Sequence, residues 1–397
     1  MTMRVLAIHN YYQQRGGEDQ CFEDEVSVLE SHGHSVSCYT VHNDSVEGQS
    51  KLKVAKQSIW NWQAHEKVKT LIQQHQPDVV HVMNAFPLLS PAIFYAAKEA
   101  GATVVHEVQN YRMFCANAFM MRDGRHCEDC IGKSFALPAL VHRCYRQSLL
   151  GSATLAVSMS LHRRWETWHK AVDLFLCPSE CAKRLLIRGG LPKQRIVVKP
   201  NALNSDPGAG AGSASGFVFV GRLSPEKGLR TLFEAWRSDR SLPTLTIIGD
   251  GPDRELVQQM AANDTRIQWL GRLPLELLLE VVGEARALIM PSTWNETFGR
   301  TTIEAFAKGT PVVGSRIGGT AELIVEGKTG WLFEPNCSTE LTQKVQLALA
   351  MDDQQRSEMR AAVRQYFLEN FLPDNNYRAL LHCYEQAISF SCHQRED

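Results

Sequence analysis

Short apolar runs recur along this chain, separated by longer stretches in which apolar residues return every three or four positions. The first run, Val5 to Ile8, predicts a buried strand that ends at His9 and Asn10. After Gly16-Gly17, the stretch from Glu18 to Ser31 places Phe22, Val26 and Leu29 at i, i+4 and i+7, an amphipathic helix stopped by Gly33. Val36 to Val41 alternates as a second strand. Asp78 to Met83, Thr103 to Val108, Val172 to Cys177 and Arg195 to Lys199 repeat the strand pattern, with helical periodicity between them. Strands alternating with helices imply a parallel sheet covered on both faces.

Near Pro200 the alternation stops, and Asn204 to Gly216, rich in Gly, Ala and Ser, reads as a flexible linker. It restarts with strands at Phe217 to Val220, Leu245 to Ile248, Ile267 to Leu270, Ala287 to Met290 and Pro311 to Val313. The expected architecture is α/β, two doubly wound Rossmann-like domains facing a cleft. Residues 1–200 form the first, 201–216 the linker, 217–374 the second, and 375–397 a closing helix with the first domain as one place to cross back to. Sheets of this kind bind ligands outside the carboxyl ends of their strands.

At 397 residues the chain is too long for one ordinary core, and 44% hydrophobic with 21% charged residues is a globular balance. A net charge of −1 excludes long-range attraction to nucleic acid, so anion binding must come from locally placed cations. The opening residues lack a signal-peptide core and no stretch is apolar enough to span a membrane. The expected location is the cytosol, at most against a membrane surface. Eleven cysteines, an odd number, favour thiols or metal ligands over a disulfide framework.

Three segments of the second half lie at strand ends: Gly221-Arg222-Leu223-Ser224-Pro225-Glu226-Lys227-Gly228, Gly249-Asp250-Gly251-Pro252, and Asn295-Glu296-Thr297-Phe298-Gly299. Arg222 and Lys227 flank a turn whose Pro225 begins a helix, and two cations beside a helix N-terminus suit a diphosphate. Gly299 lets the backbone approach a ligand ahead of a helix running through Glu304 to Gly309. Glu296 and Glu304 are acceptors of the kind that grip vicinal hydroxyls. Turn glycines, a solvated Arg/Lys pair and two surface glutamates are the alternative, and Gly249-Asp250-Gly251 carries no chemical role.

Gly221-Arg222 to Lys227-Gly228, Glu296-Thr297-Phe298-Gly299 to Glu304-Ala305, Gly309-Thr310-Pro311-Val312-Val313, and Gly318-Gly319 to Glu322 together resemble the retaining GT-B glycosyltransferases of glycosyltransferase family 4, the group 1 enzymes. The resemblance implies Glu296 at the transferred sugar as the catalytic carboxylate, Glu304 at the nucleotide ribose, and Arg222 and Lys227 on the diphosphate, with Phe298 and Gly299 in the same donor-binding set. It implies a UDP- or GDP-sugar donor, no catalytic divalent metal, and retention of anomeric configuration without a classical protein base. The loop Gly16-Gly17-Glu18-Asp19 would bring backbone amides to the donor, with a turn and helix cap as the alternative.

Close relatives usually carry a histidine directly before Asn-Tyr-Arg, where this chain has Gln109 ahead of Asn110-Tyr111-Arg112. Glutamine can still hydrogen-bond a sugar hydroxyl but carries no charge. His106 reads as a strand histidine. Cys115, Cys127, Cys130 and Cys144 have the C-x2-C knuckle of a structural zinc site, with His126 and His142 as other ligands and four unrelated thiols as the alternative. Lys51, Lys53, Lys56, Lys67 and Lys69 with Trp60 and Trp62 read as an ordinary domain helix or as a basic amphipathic element. With Arg143, Arg146, Arg163 and Arg164 they would face the inner surface of a membrane. The function expected is transfer of a hexose from a nucleotide sugar to a glycan or lipid-linked acceptor in bacterial surface-polysaccharide assembly. A sugar-nucleotide epimerase and a non-catalytic nucleotide-sugar sensor are the alternatives.

Overall fold

A computed structural model describes residues 2–396 of the chain. Two compact units divide it. The first takes Met1–Met120, Cys127–Asn204 and Pro373–Asp397, and the second Met121–His126 and Ser205–Leu372.

The first unit is built on β1 (Arg4–Tyr11), β2 (Ser35–His42), β3 (Val79–Asn84) and β4 (Thr103–Glu107). The hairpin strands β5 (Met121–Arg122) and β6 (Arg125–His126) follow, and the sheet is completed by β7 (Leu174–Cys177) and β8 (Ile196–Val198). All its neighbours are parallel in the order β2-β1-β3-β4-β7-β8. β3, β4 and β7 are buried along their whole length, as strands covered on both faces must be. Helix Gly17–Ser31 packs through Phe22, Val28 and Leu29, and helix Pro373–Glu396 lies beside it, its Leu380, Cys383, Tyr384 and Ala387 sharing one core with Leu29, Val5, Val105, Leu174 and Leu176.

The second unit contains β9 (Phe217–Val220), β10 (Leu245–Ile248), β11 (Ile267–Gly271), β12 (Ala287–Met290), β13 (Val312–Ser315) and β14 (Gly330–Phe333). Their order, β11-β10-β9-β12-β13-β14, is parallel throughout and reverses direction between β9 and β12. Phe217, Phe219, Leu232, Trp236, Ile247, Ile289 and Phe333 form its core.

β14 is a strand the sequence pattern missed, a four-residue run opened by glycine. The segment read as a flexible linker is also different in the structure. Residues 205–216 are strapped to the second unit, with Gly210 N donating to Lys308 O (3.0 Å), Gly212 N to Gly283 O (3.0 Å) and Ala214 N to Glu284 O (2.9 Å). Arg360 donates to the Gly210 carbonyl at 2.8 Å and Arg356 to that of Gly212 at 2.6 Å. A Cβ on Gly210 would lie 2.4 Å from the Gly283 backbone, so its glycine composition reflects close packing rather than freedom.

Candidate active site

The reversal point of the second sheet is where such a fold opens a crevice at its strand ends. The chain leaving β9 makes the Pro225–Lys227 turn, and the chain leaving β12 makes the Pro291–Gly299 segment before helix Arg300–Ala307. Thr293 N donates to Glu226 O at 2.9 Å and stitches the two together. Gly228, at φ +72°, makes this fit possible, because a Cβ there would lie 1.8 Å from the carbonyl oxygen of Pro291. The Gly249–Pro252 turn joins them through Leu223 N to Asp250 O at 3.0 Å. All three segments singled out from the sequence are therefore neighbours.

Lys227 Nζ donates to Glu296 Oε1 at 2.8 Å, across 69 residues of sequence. Ser292 Oγ donates to the same carboxylate oxygen, and Lys227 also lies 5.9 Å over the Trp294 ring. Glu296 is 5% exposed, and its carbonyl accepts Gly319 N at 2.7 Å from the start of helix Gly318–Leu323. One helix further, Arg300 Nε donates to Glu304 Oε1 at 3.1 Å, an i,i+4 ion pair. Glu304 is buried, so both carboxylates are held by cations rather than by solvent. Arg222 is exposed, and Phe298 is buried with its ring 6.2 Å from that of Phe371. Gly299 precedes helix Arg300–Ala307 at φ +105°, and the first-turn amides of that helix lack i−4 carbonyls. Sequence reasoning missed Ser292 and Arg300; the i,i+4 spacing of Arg300 and Glu304 on one helix was the available signal.

In the first unit, Gly16 and Gly17 form the entry to helix Gly17–Ser31, where Asp19 Oδ2 accepts Gly16 N at 3.0 Å. Asp19 Oδ1 also takes Tyr12 N at 3.3 Å and lies 2.8 Å from buried His9 Nε2. Glu18 accepts the Tyr12 hydroxyl at 2.8 Å and the Asn110 amide at 3.0 Å. Burial pushes the Glu18 carboxyl up from its ordinary value.

Gln109 follows β4, and below it lies a buried ionic network that sequence reasoning missed. Lys199 Nζ donates to Glu25 and to Asn376 Oδ1 (3.0 Å), and stands 3.6 Å from Glu107. His81 sits 3.6 Å from Glu25 and 3.4 Å from Glu107, with Nδ1 2.8 Å from the Tyr384 hydroxyl. Burial and the neighbouring Glu107 charge raise the Glu25 carboxyl to about 7. Burial acts the same way on Glu107, but Lys199 and His81 outweigh it and bring that group down to about 2. Glu25, His81 and Glu107 offer atoms within 4.8 Å of one another, a spacing that suits a metal ion. Lys199 already supplies the cation between the two carboxylates, which disfavours a second one.

The four cysteines do not make such a group: among the described residues no three of Cys115, Cys127, Cys130 and Cys144 bring their sulfurs within that distance. Cys115 Sγ instead donates to Asn117 Oδ1 at 3.0 Å, burial raises its thiol to about 11, and Cys130 and Cys144 pack against an apolar cluster around Ala136 and Leu155.

Two parallel six-stranded sheets of this connectivity, with a cation–carboxylate cluster at the reversal of the second, define the GT-B class of glycosyltransferase fold. The family model described as glycosyl transferases group 1 matches residues 213–366, and the glycosyl transferase 4-like domain matches residues 16–202. The chain belongs to the group 1 glycosyltransferases.

A GDP-mannose-dependent alpha-mannosyltransferase of Corynebacterium glutamicum is 30% identical over 295 residues, 74% of this chain and 64% of that protein. An uncharacterized glycosyltransferase of Methanocaldococcus jannaschii is 27% identical over 202 residues, 50% of this chain and 56% of the relative. The chain thus spans less than two thirds of either relative. Among solved structures, Anabaena HepE in complex with UDP superposes with a TM-score of 0.65 at 19% identity, covering 96% of this chain and 99% of that one. Sucrose-phosphate synthase of Thermosynechococcus elongatus gives 0.72 at 16% identity over 98% and 99%. Likeness at these identities speaks for the fold.

Proposed function

We propose that this chain transfers a hexose from a UDP- or GDP-sugar, with retention of configuration, to a glycan or lipid-linked acceptor in the assembly of a bacterial surface polysaccharide. The observation that carries the reading is the Lys227–Glu296 pair at the sheet reversal, with Arg300–Glu304 one helix on. A nucleotide diphosphate entering there takes Lys227, together with exposed Arg222, as its counter-charge, and this releases Glu296 to hydrogen-bond sugar hydroxyls. Glu304, already dry and oriented, accepts ribose hydroxyls. As the bond from the anomeric carbon to phosphate breaks, Lys227 and Arg222 stabilise the charge developing on the leaving diphosphate. The mannosyltransferase relative supports a GDP-sugar and HepE a UDP-sugar.

Thermal unfolding with UDP, GDP, ADP and CMP tests the donor site. One nucleotide, at ~100 times its dissociation constant, should stabilise the chain by about 2.7 kcal/mol. The absence of any shift, with the fold intact, would overturn the reading.

An acceptor held at a membrane is supported by the surface of the first unit. Leu52, Trp62, Leu137, Val141 and Leu149 are all more than half exposed, beside exposed Lys51, Lys53, Lys56, Arg143, Arg146 and Arg164. Helices Lys51–Ile59 and Leu137–Val141 both pack on helix Leu149–Arg164, which groups Leu52, Leu137, Val141 and Leu149 with Lys51, Lys53, Lys56 and Arg164 on three touching helices. No helix among the described residues is long and apolar enough to cross a membrane, so attachment would be interfacial. In vesicle flotation, the protein should rise with phosphatidylglycerol-containing vesicles and stay down with purely zwitterionic ones. Val141→Asp with Leu149→Asp should abolish the difference, and equal behaviour of wild type with both lipids would rule out the attachment.

A further inference from the structure

The carboxyl ends of β3 and β4 border a cavity of about 90 Å3 lined by the first unit alone, at the end of the sheet where this architecture holds its ligands. Three polar side chains on its wall have hydrogen-bonding capacity that the described residues leave unused. His106 is 7% exposed, and its Nδ1 lies 2.9 Å from the Val82 carbonyl oxygen, which can only accept, so Nδ1 carries the proton. Burial pushes this imidazole down to about 4, which keeps the ring neutral and leaves Nε2 a bare acceptor without a partner. Ser158, 8% exposed on helix Leu149–Arg164, makes no side-chain hydrogen bond among the described residues. Arg112 holds its guanidinium 4.4 Å over the Phe86 ring with Nε buried and unpaired.

The rest of the wall is apolar, with Phe94, Leu155 and Met159 buried and Trp168 stacked on His106 at 6.0 Å. This mixture selects the occupant. An alkyl or isoprenoid chain would strand all three polar groups in a dry site. A carboxylate or phosphate would meet the lone pair of His106 Nε2, and a cation would meet Arg112. A lone hydroxyl would leave the apolar wall unfilled. The volume is that of roughly three waters, too small for a hexose ring and suited to one substituent of it. An acetamido group supplies each feature at once: an N–H for His106 Nε2, a carbonyl for the Ser158 hydroxyl or Arg112 Nε, and a methyl for Phe94, Leu155 and Met159.

We propose that this cavity seats the acetamido group of an N-acetylamino sugar, with His106 Nε2 as the acceptor that tells such a sugar from its parent hexose. Calling that sugar the acceptor of transfer rests on the glycosyltransferase reading, whereas its seat is made by the first unit alone. His106, a strand histidine by position, thereby gains a binding role through the nitrogen that the strand does not use.

Saturation-transfer NMR on the full chain tests this with the methyl glycosides of N-acetylglucosamine and N-acetylgalactosamine at millimolar concentration, each beside its parent glucoside or galactoside. At least one N-acetyl glycoside should bind, with the acetyl methyl protons receiving the strongest transfer and an affinity roughly tenfold above that of its parent, the size of one oriented hydrogen bond. His106→Phe keeps a ring against Trp168 and removes the acceptor, so that advantage should disappear. Ser158→Met fills the cavity from the helix side and should abolish the acetyl signal. If His106→Phe melts early because Val82 loses its donor, Ser158→Met carries the test. The thermal response to UDP or GDP should stay at its wild-type value in both variants, because the donor crevice belongs to the second unit.

Equal binding of N-acetyl and parent glycosides, or an undiminished acetyl signal in Ser158→Met, would overturn the proposal. So would the absence of transfer to any of the sugars, which would make the cavity a seat for ordered water only. Loss of the acetyl signal on adding saturating UDP would assign the acetamido group to the donor and overturn its placement here. Each of these results leaves the donor-site reading standing, since that reading fails only if no nucleotide shifts the melting of the wild type.

Discussion

Glu296→Gln should lower transfer by about 10²–10³-fold, the cost of removing one preorganised group from a transition state, while UDP or GDP binds within a few-fold of wild type. The substitution keeps the side chain's length and its hydrogen bond from Ser292 but removes the charge that Lys227 Nζ meets at 2.8 Å. Lys227 is then available to phosphate without first leaving a partner, so nucleotide affinity is held or improved. The sugar loses its carboxylate acceptor. Rate and affinity thus move independently, which separates the assignment from simple damage to the pocket. A variant that turns over within threefold of wild type would remove Glu296 from the chemistry, whatever the nucleotide result.

The second large effect falls on stability. Lys199→Met should destabilise the first unit by about 3–5 kcal/mol in denaturant unfolding, because it strands the Glu25 and Glu107 carboxylates in the interior. Lys199 is 1% exposed, so water cannot replace it. The sign of the pH dependence follows from Glu25, whose folded value of about 7 stands above its ordinary 4.5. The folded state keeps a proton that the unfolded chain releases, so this stabilisation is complete below pH 4.5 and is lost as pH rises through about 7. Wild-type stability should accordingly decline across that window, and Glu25→Gln should flatten the decline. The Lys199→Met penalty should be larger at pH 8 than at pH 5. Equal slopes in wild type and Glu25→Gln would show that the proton resides elsewhere.

Most strands were legible because parallel strands covered on both faces must be continuously apolar. Phe217–Val220, Leu245–Ile248 and Ala287–Met290 occupy the residues that their composition marks. β14 escaped because its glycine opening hides a run of only three large residues. The segment around Gly210 escaped for a different reason: glycine that permits close packing and glycine that permits freedom look identical in a sequence. Pairing across long separations was not legible either. Lys227 and Glu296 were each visible at a strand end, but their ion pair exists only once β9 and β12 lie side by side. The ionic network was hidden most fully. Glu25 sits in a helix and Lys199 past a strand, positions where charges normally meet solvent, and helix Pro373–Glu396 packs over them with Asn376 on Lys199. For the four cysteines, spacing along a loop did not say how near the sulfurs lie, and no three of them come within 4.8 Å of one another among the described residues.

That same helix sets an order of events during synthesis. Ser205–Leu372 leaves the ribosome as a complete run of chain, whereas the unit begun by β1 waits for Tyr384 and Leu380 to cover Val5, Val105 and Leu174. Lys199 likewise lacks Asn376, and His81 the Tyr384 hydroxyl, until that helix emerges. The unit that holds β1 is therefore completed only after the whole of Ser205–Leu372 has been made.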